Sequence, residues 1–343
     1  MDGADNVGRL LRYVVVRALL IIPTILILYT LIFIILRVIP GNPILSALGT
    51  HYVPPEILEE KMHRLGLDKP LYVQYFDYLW RVLHGDFGES MVIEGRSITH
   101  DLAYRIPATI ELTVWGFTVS VLLGILTGTI AAVKRGSRID YAMRVYGIVA
   151  YTLFIPWLGS LLILLFSVYL GWLPSGGRLD PSIDLDRITG IYTLDSLITG
   201  NIYAFVNALK HLVLPSITLG IVLSGAYTRL VRSNLSDILQ ADFIRAYRSR
   251  GLPENKVLLY ALRNAMIPIV TYMGLQLAIL LGGAVLTETT YSWPGLGSYL
   301  FEKIQYRDYS AIQGTIVVFA FIVGVVSLIV DIIYALVDPR IRY

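Results

Sequence analysis

Long apolar stretches alternate along this chain with polar, charged intervals, and most of the apolar stretches are close to the length that a bilayer demands. They run approximately Leu19–Leu36, Leu112–Val133, Val145–Leu170, Leu212–Thr228, Ala265–Thr287 and Gly314–Val337. A hydrocarbon core of roughly 30 Å takes about 20 helical residues, so each stretch predicts one membrane helix. A polar excursion, Pro40 to Pro107, separates the first two. Within it Pro54-Pro55-Glu56 opens a helical run with Ile57, Leu58, Met62 and Leu65 at three- and four-residue spacing. Leu71, Tyr72, Tyr75, Phe76, Leu79, Val82 and Leu83 repeat that period, Gly85 to Ser90 reads as a turn, and Met91-Val92-Ile93 predicts a short strand. The predicted fold is all-α and integral to the membrane: six transmembrane helices with a small helical extracytoplasmic insertion after the first.

Composition agrees. The 343 residues are 55% apolar and only 15% charged, with mean hydropathy +0.65, too little charge to cover a soluble surface. Basic residues set the expected orientation. Arg9, Arg12 and Arg17 precede the first stretch, Arg340 and Arg342 follow the last, and Lys134, Arg135, Arg138 and Arg144 crowd the short second connection. The loop Glu288–Gln313 carries only Lys303 and Arg307. Both termini are therefore expected in the cytoplasm. The first stretch is too long for a signal h-region and ends in Arg37-Val38-Ile39-Pro40, not in small residues, so it is expected to be retained. Without cysteine, no disulfide, Fe–S or Cys-zinc site can form. The net charge of +3 follows the topological bias, and no nucleic-acid partner is read from it.

Candidate chemistry is sparse. His51, His63, His84, His100 and His211 show no H-E-x-x-H spacing, and no G-x-x-x-x-G-K-[S/T] phosphate loop occurs. Ionisable residues near the apolar stretches are functional suspects by default. Arg37, Glu111, Glu288 and Asp331 qualify, and each reads as an interfacial or helix-end charge, with Asp331 within reach of the basic inner surface. None suits a proton or sodium relay. Asp180, Asp184, Asp186 and Asp195 lie in the long connection Gly171–His211; the following residues lack the calcium-loop pattern, so a solvated external loop is expected. Pro23, Pro156, Pro215 and Pro268 are expected to bend helices, either lining an opening or wedging a bundle. Gly116, Gly124 and Gly128, and Gly274, Gly282 and Gly283, predict close helix contact.

The most informative segment is Arg229–Arg263, basic and helix-forming, with the layout of a docking element. A run beginning Asp242-Phe243-Ile244-Arg245-Ala246 stops at Gly251-Leu252-Pro253, where glycine takes the left-handed conformation that ends a helix and proline prevents continuation. A second helical run leads through Arg263-Asn264 back into the membrane. The pattern D-x-I-R-A-x-R-x-x-G-L-P, followed by R-N-A-x-x-P, resembles the cytoplasmic coupling loop of binding-protein-dependent ABC importer permeases, most closely the peptide branch. Other pieces resemble the same family in order: I-P-G-N-P at Ile39–Pro43, L-G-L-D-K-P-L at Leu65–Leu71, H-G-D-F-G-E-S at His84–Ser90, I-P-A-T-I-E-L at Ile106–Leu112, Y-S-W-P-G-L-G at Tyr291–Gly297 and D-I-I-Y-A-L-V-D-P-R at Asp331–Arg340. Two departures stand out. The general loop begins Glu-Ala-Ala where this chain has Arg245-Ala246-Tyr247, and the Gly171–His211 connection is long for the branch.

The resemblance implies a cytoplasmic tail (1–18), a first helix plus cap (19–107), a five-helix core domain (108–338) holding the coupling loop (229–263), and a second tail (339–343). It implies as partners a homologous second permease, two cytoplasmic ATPases, an extracytoplasmic binding protein and membrane lipid. ATP would be bound by the ATPases, with no cofactor on this chain, which is not expected to be an enzyme. The coupling residues carried over are Asp242, Arg245, Ala246, Tyr247, Gly251, Leu252, Pro253, Arg263 and Asn264. Expected cargo is dipeptides or oligopeptides, with oligosaccharides or nickel as alternatives on the same architecture, and an ion-coupled carrier or channel as the rival from another class.

Overall fold

Apolar residues on all sides of a helix leave the backbone with no water to bond, so each segment must satisfy its own amides, and helix is the result. The computed structural model describes residues 2–38 and 55–337, and among them every regular element is helical. The motif Ile39–Pro43, together with His51, Arg340 and Arg342, lies outside the described residues. Helix α1 (Asp2–Val38) precedes the cap helices α2 (Pro55–Arg64) and α3 (Leu71–Leu83). Then come α4 (Ile98–Val133), α5 (Arg138–Thr152) and α6 (Ile155–Leu162), the last running into a π-helical segment, Ile163–Tyr169. Next are α7 (Tyr192–Ile198), α8 (Ile202–Ile238), α9 (Asp242–Ser249), α10 (Glu254–Gly283), α11 (Val285–Thr290), α12 (Leu296–Gln305) and α13 (Tyr309–Val337).

Four segments, Val14–Val38, Ile98–Val133, Ile202–Ile238 and Tyr309–Ile332, are long and apolar enough to cross a membrane. Two bent pairs raise the number to as many as six. One pair corrects the expectation of a single run over Val145–Leu170: α5 and α6 meet at 104°. Pro156 lacks the amide that would continue the ladder, and its ring excludes the carbonyl four residues back, so α5 stops at Thr152 and α6 begins anew. The other pair bends by 51° beside Pro268, between Glu254–Met266 and Pro268–Leu281. The predicted strand at Met91–Ile93 does not form; only an isolated bridge, Glu89 to Ser97, occurs nearby. Met91 is instead buried beside Leu36, Tyr309 and Ile312, a packing demand that overrides the β-prone sequence.

The centre of the molecule is the seam between α4 and α8. A Cβ added at Gly124 would lie 2.2 Å from the Tyr227 Cβ, and one at Gly128 would lie 2.6 Å from that of Val231. The backbones therefore touch where the small residues predicted contact. Thr127 and Thr228 hydroxyls bond across the seam at 2.7 Å. Arg232 then clamps Asp140 at the start of α5, Nε to Oδ1 at 2.6 Å and Nη2 to Oδ2 at 2.9 Å. At the periphery α1 packs on α13, and Arg17 pairs with Asp331 at 3.2 Å. Arg17 and Arg37 are 20 positions apart in α1, about 30 Å along a helix, which is the thickness of the hydrocarbon core. Ile22, Ile27, Leu31 and Ile35 between them are exposed, as lipid-facing side chains must be.

Candidate functional site

The segment Asp242–Pro253 folds from local chemistry. Alanine 241 precedes α9, Asp242 opens its first turn, and eight residues later the helix closes in a Schellman arrangement. The Gly251 amide donates to the Arg248 carbonyl at 2.9 Å and the Leu252 amide to the Tyr247 carbonyl at 3.2 Å. That geometry requires the left-handed region, and Gly251 has φ +77°. Pro253 is the N-cap of α10, so the chain turns at once into the second helix.

One face of α9 is fastened to the membrane core. Ile244 is fully buried among Val231, Leu235, Val257 and Ala261, with Leu252 and Tyr247 packed on the same cluster. Tyr247, the departure from the wider family pattern, points inward: its ring centroid lies 5.5 Å from that of Tyr260 on α10 and 5.9 Å from that of Phe243. The opposite face is polar and exposed. Asp242 and Arg245 pair loosely at 3.5 Å, with side chains 98% and 71% exposed, so neither charge is committed within the chain. Ala246 beside them is exposed, and Arg248 braces the turn through Glu254 at 2.9 and 3.2 Å. Arg263 and Asn264 are exposed but lie on α10 about 14 Å beyond its start, with Asn264 bonded to its own helix at the Tyr260 carbonyl, 2.8 Å. The structure thus brings Asp242 through Pro253 into one element and leaves Arg263 and Asn264 further along the next.

At the other end of α4, two carboxylates correct the sequence reading. Glu111 and Glu288 are not interfacial charges but are buried, 2% and 0% exposed. Glu111 Oε1 accepts from the Thr193 amide and hydroxyl, both at 2.8 Å, while Arg178 donates to Oε2 from Nε at 3.2 Å and also from Nη2. Arg178 Nη2 also reaches the Gly190 carbonyl at 2.8 Å. The connection expected to be solvated is therefore anchored inside the fold, although Asp184 and Asp186 within it are exposed. Asp195, fully buried, receives the Thr189 hydroxyl at 2.6 Å and the amides of Thr189 and Gly190 at 2.7 and 2.9 Å. Burial alone would raise its carboxyl, but these hydrogen bonds outweigh burial and hold it below the usual carboxylate range.

Glu288 joins two of the sequence motifs. Its Oε1 accepts from the Thr109 hydroxyl at 2.7 Å and its Oε2 from the Ser298 amide at 2.8 Å. Thr109 Oγ1 in turn accepts from the Leu296 amide at 2.8 Å, and Trp293 Nε1 donates to the Ala108 carbonyl at 2.8 Å. A Cβ at Gly295 would sit 2.3 Å from the Glu288 carboxylate, which is the reason a glycine stands in the W-P-G-L-G run. On the cap, Ser90 donates to Asp308 at 2.5 Å and the Met91 amide to the same carboxylate at 3.1 Å, tying the G-D-F-G-E-S turn to the start of α13.

A helical bundle with lipid-facing sides, a long helical seam and one short helix presented on the end of the core describes a multi-pass membrane protein. Comparison with known proteins makes this specific. The family described as "Binding-protein-dependent transport system inner membrane component" matches residues 124–343, and its N-terminal companion, "Binding-prot-dependent transport system membrane comp, N-term", matches residues 10–113. The chain is 42% identical over 335 residues to the "Di/tripeptide transport system permease protein DppB" of Pseudomonas aeruginosa, covering 97% of this chain and 99% of the relative. It is 39% identical over 339 residues to the "Dipeptide transport system permease protein DppB" of Escherichia coli (97% and 99%), and 37% identical over 338 residues to the "Glutathione transport system permease protein GsiC" of Salmonella choleraesuis (97% and 100%). The chain belongs to the binding-protein-dependent inner-membrane permease family, and is a multi-pass inner-membrane subunit of a transporter complex.

Proposed function

We propose that this chain forms half of the translocation pathway of an ATP-driven importer of dipeptides or short oligopeptides, with a homologous permease as the other half. One of two cytoplasmic ATPases docks on the segment Asp242–Pro253, the other on the second permease, and an extracytoplasmic binding protein delivers cargo on the opposite side. Both termini are cytoplasmic. The tail 1–18, the first helix with its cap (19–107), the core (108–338) and the tail 339–343 act as separate parts. The observation that carries this reading is the two-faced mounting of α9: Ile244 locked in the core, Asp242 and Arg245 presented outward. A helix held that way transmits a push on its polar face to α8 and α10. The relatives named for dipeptides and glutathione support a short peptide as cargo over oligosaccharide or nickel.

In reconstituted vesicles, dipeptide uptake is expected to require ATP together with the ATPases and the binding protein, and to persist when proton and sodium gradients are collapsed. Uptake by this chain alone, driven by an ion gradient, would overturn the reading in favour of a carrier.

Orientation has its own test. The chain has no cysteine, so a single introduced thiol reports cleanly. Ser182 and Ser249 are both exposed. Ser182→Cys is expected to react with an impermeant maleimide in intact cells, and Ser249→Cys only after permeabilisation. External labelling of Ser249→Cys would place the coupling segment outside and remove the ATPases from the scheme.

A further inference from the structure

A cavity of about 380 Å³ lies where the end of α1, the cap helix α3 and the start of α13 meet, lined among others by Arg37, Tyr78 and Gln313. Arg64, Lys69 and Arg81 on its rim each have a carboxylate: Glu89 at 2.5 Å, Asp77 at 2.7 Å and Asp86 at 2.8 Å. Arg37 differs. Among the described residues no carboxylate pairs with it; its guanidinium rests on the Phe33 ring at 4.4 Å and donates from Nη1 to Gln313 Oε1 at 3.2 Å. A guanidinium only donates, so this bond fixes the amide of Gln313 with its oxygen toward Arg37 and its nitrogen turned away. Gln313 is 1% exposed, and among the described residues its Nε2 has no hydrogen-bond partner. The Tyr78 hydroxyl, also buried, has none either. Two unsatisfied donors and one cation without a counter-charge therefore share a single cavity, an arrangement that leaves desolvated groups uncompensated unless an acceptor with negative charge enters.

We infer that this cavity holds the phosphate of a phospholipid from the cap-side leaflet. The ligand class follows from the donors: an oxyanion that accepts from guanidinium, amide and phenol together. The lipid source follows from position. Arg37 occupies the last turn of the Val14–Val38 span, at the level of the headgroups, and Ile34, Ile35 and Val38 around it are exposed where acyl chains run. The bound phosphate joins α1, the cap and α13 at one point, and the lipid becomes a structural part of the cap. This inference depends only on the membrane span and is independent of cargo and of ATPase docking.

The test uses the full chain purified with its co-purifying subunits, reconstituted in vesicles of phosphatidylethanolamine and phosphatidylglycerol, re-extracted and weighed by native mass spectrometry. The wild-type permease is expected to retain a single phospholipid, and Arg37→Gln to lower the retained fraction about tenfold, as for loss of a charge-assisted hydrogen bond. Gln313→Glu supplies the missing carboxylate from within; it is expected to lose the lipid while melting, after delipidation, at or above the wild-type temperature. Arg64→Gln, already paired on the rim, is expected to retain the lipid. Equal lipid on wild type, Arg37→Gln and Gln313→Glu overturns the site, and so does a Gln313→Glu protein that is less stable than wild type. A parallel vesicle sample with added inorganic phosphate separates the sources: a phosphate-mass adduct in place of the lipid overturns the lipid assignment.

Discussion

Gly251→Val is expected to lower transport about tenfold while membrane insertion and expression stay near normal. The cost is conformational. Nothing lies within 4 Å of a Cβ built on Gly251, so valine meets no steric obstacle from neighbours, but φ is +77°. A branched side chain in the left-handed region costs roughly 1–2 kcal/mol, and about 1.4 kcal/mol shifts an equilibrium tenfold. That penalty falls on the Schellman closure that sets the exit angle of α9, hence on the presentation of Asp242 and Arg245. Gly251→Asn, which tolerates the same region, is expected to keep most activity. Substrate uptake and ATPase retention on the purified complex are the two readouts. If Gly251→Val matches wild type in both, the segment is an ordinary connector. Asp242→Ala is expected to do less, since its side chain is nearly all in solvent.

Glu111→Ala is expected to destabilise the permease more than any surface change. Removing one partner of a buried ion pair leaves the other charge uncompensated, at a cost of about 3–5 kcal/mol. Arg178 and Glu111 are both almost wholly buried, and Arg178 also stacks 3.9 Å from the Tyr192 ring centroid. Arg178→Ala is expected to fall by a similar amount and to release the loop from α4. The double variant Glu111→Leu, Arg178→Met removes both charges and is expected to recover much of the loss. Thermal unfolding of the purified chain measures all three; a double variant as unstable as the singles would refute the pairing argument.

The sequence showed most where one local rule suffices. Lipid demands apolar surface, so the helices through Leu19–Leu36 and Gly314–Val337 are legible from hydropathy alone. Gly251-Leu252-Pro253 is legible for the same kind of reason: a turn with one low-energy conformation. What escaped notice depends on contacts remote in sequence. Glu111 meets Arg178 across 67 positions, and aspartates among threonines and glycines look the same whether water or backbone amides satisfy them. Pro156 announced a bend but not a 104° break, because the angle is set by what α6 packs against. The inward turn of Tyr247 needed the position of Tyr260, on a different helix.

Helix α8 continues without a break for 37 residues, from Ile202 to Ile238, through Pro215. At 1.5 Å per residue it is about 55 Å long, well over the thickness of the hydrocarbon core. One end lies beside the loop that Glu111 grips, and the other supports the cluster under Ile244. A rod of that length behaves as a seesaw: a tilt of about 5° about its midpoint carries each tip roughly 2.4 Å, in opposite directions. A shove too small to disturb any side-chain packing at the fulcrum is thus delivered at the far end with its sign reversed, and no hinge is needed between the two.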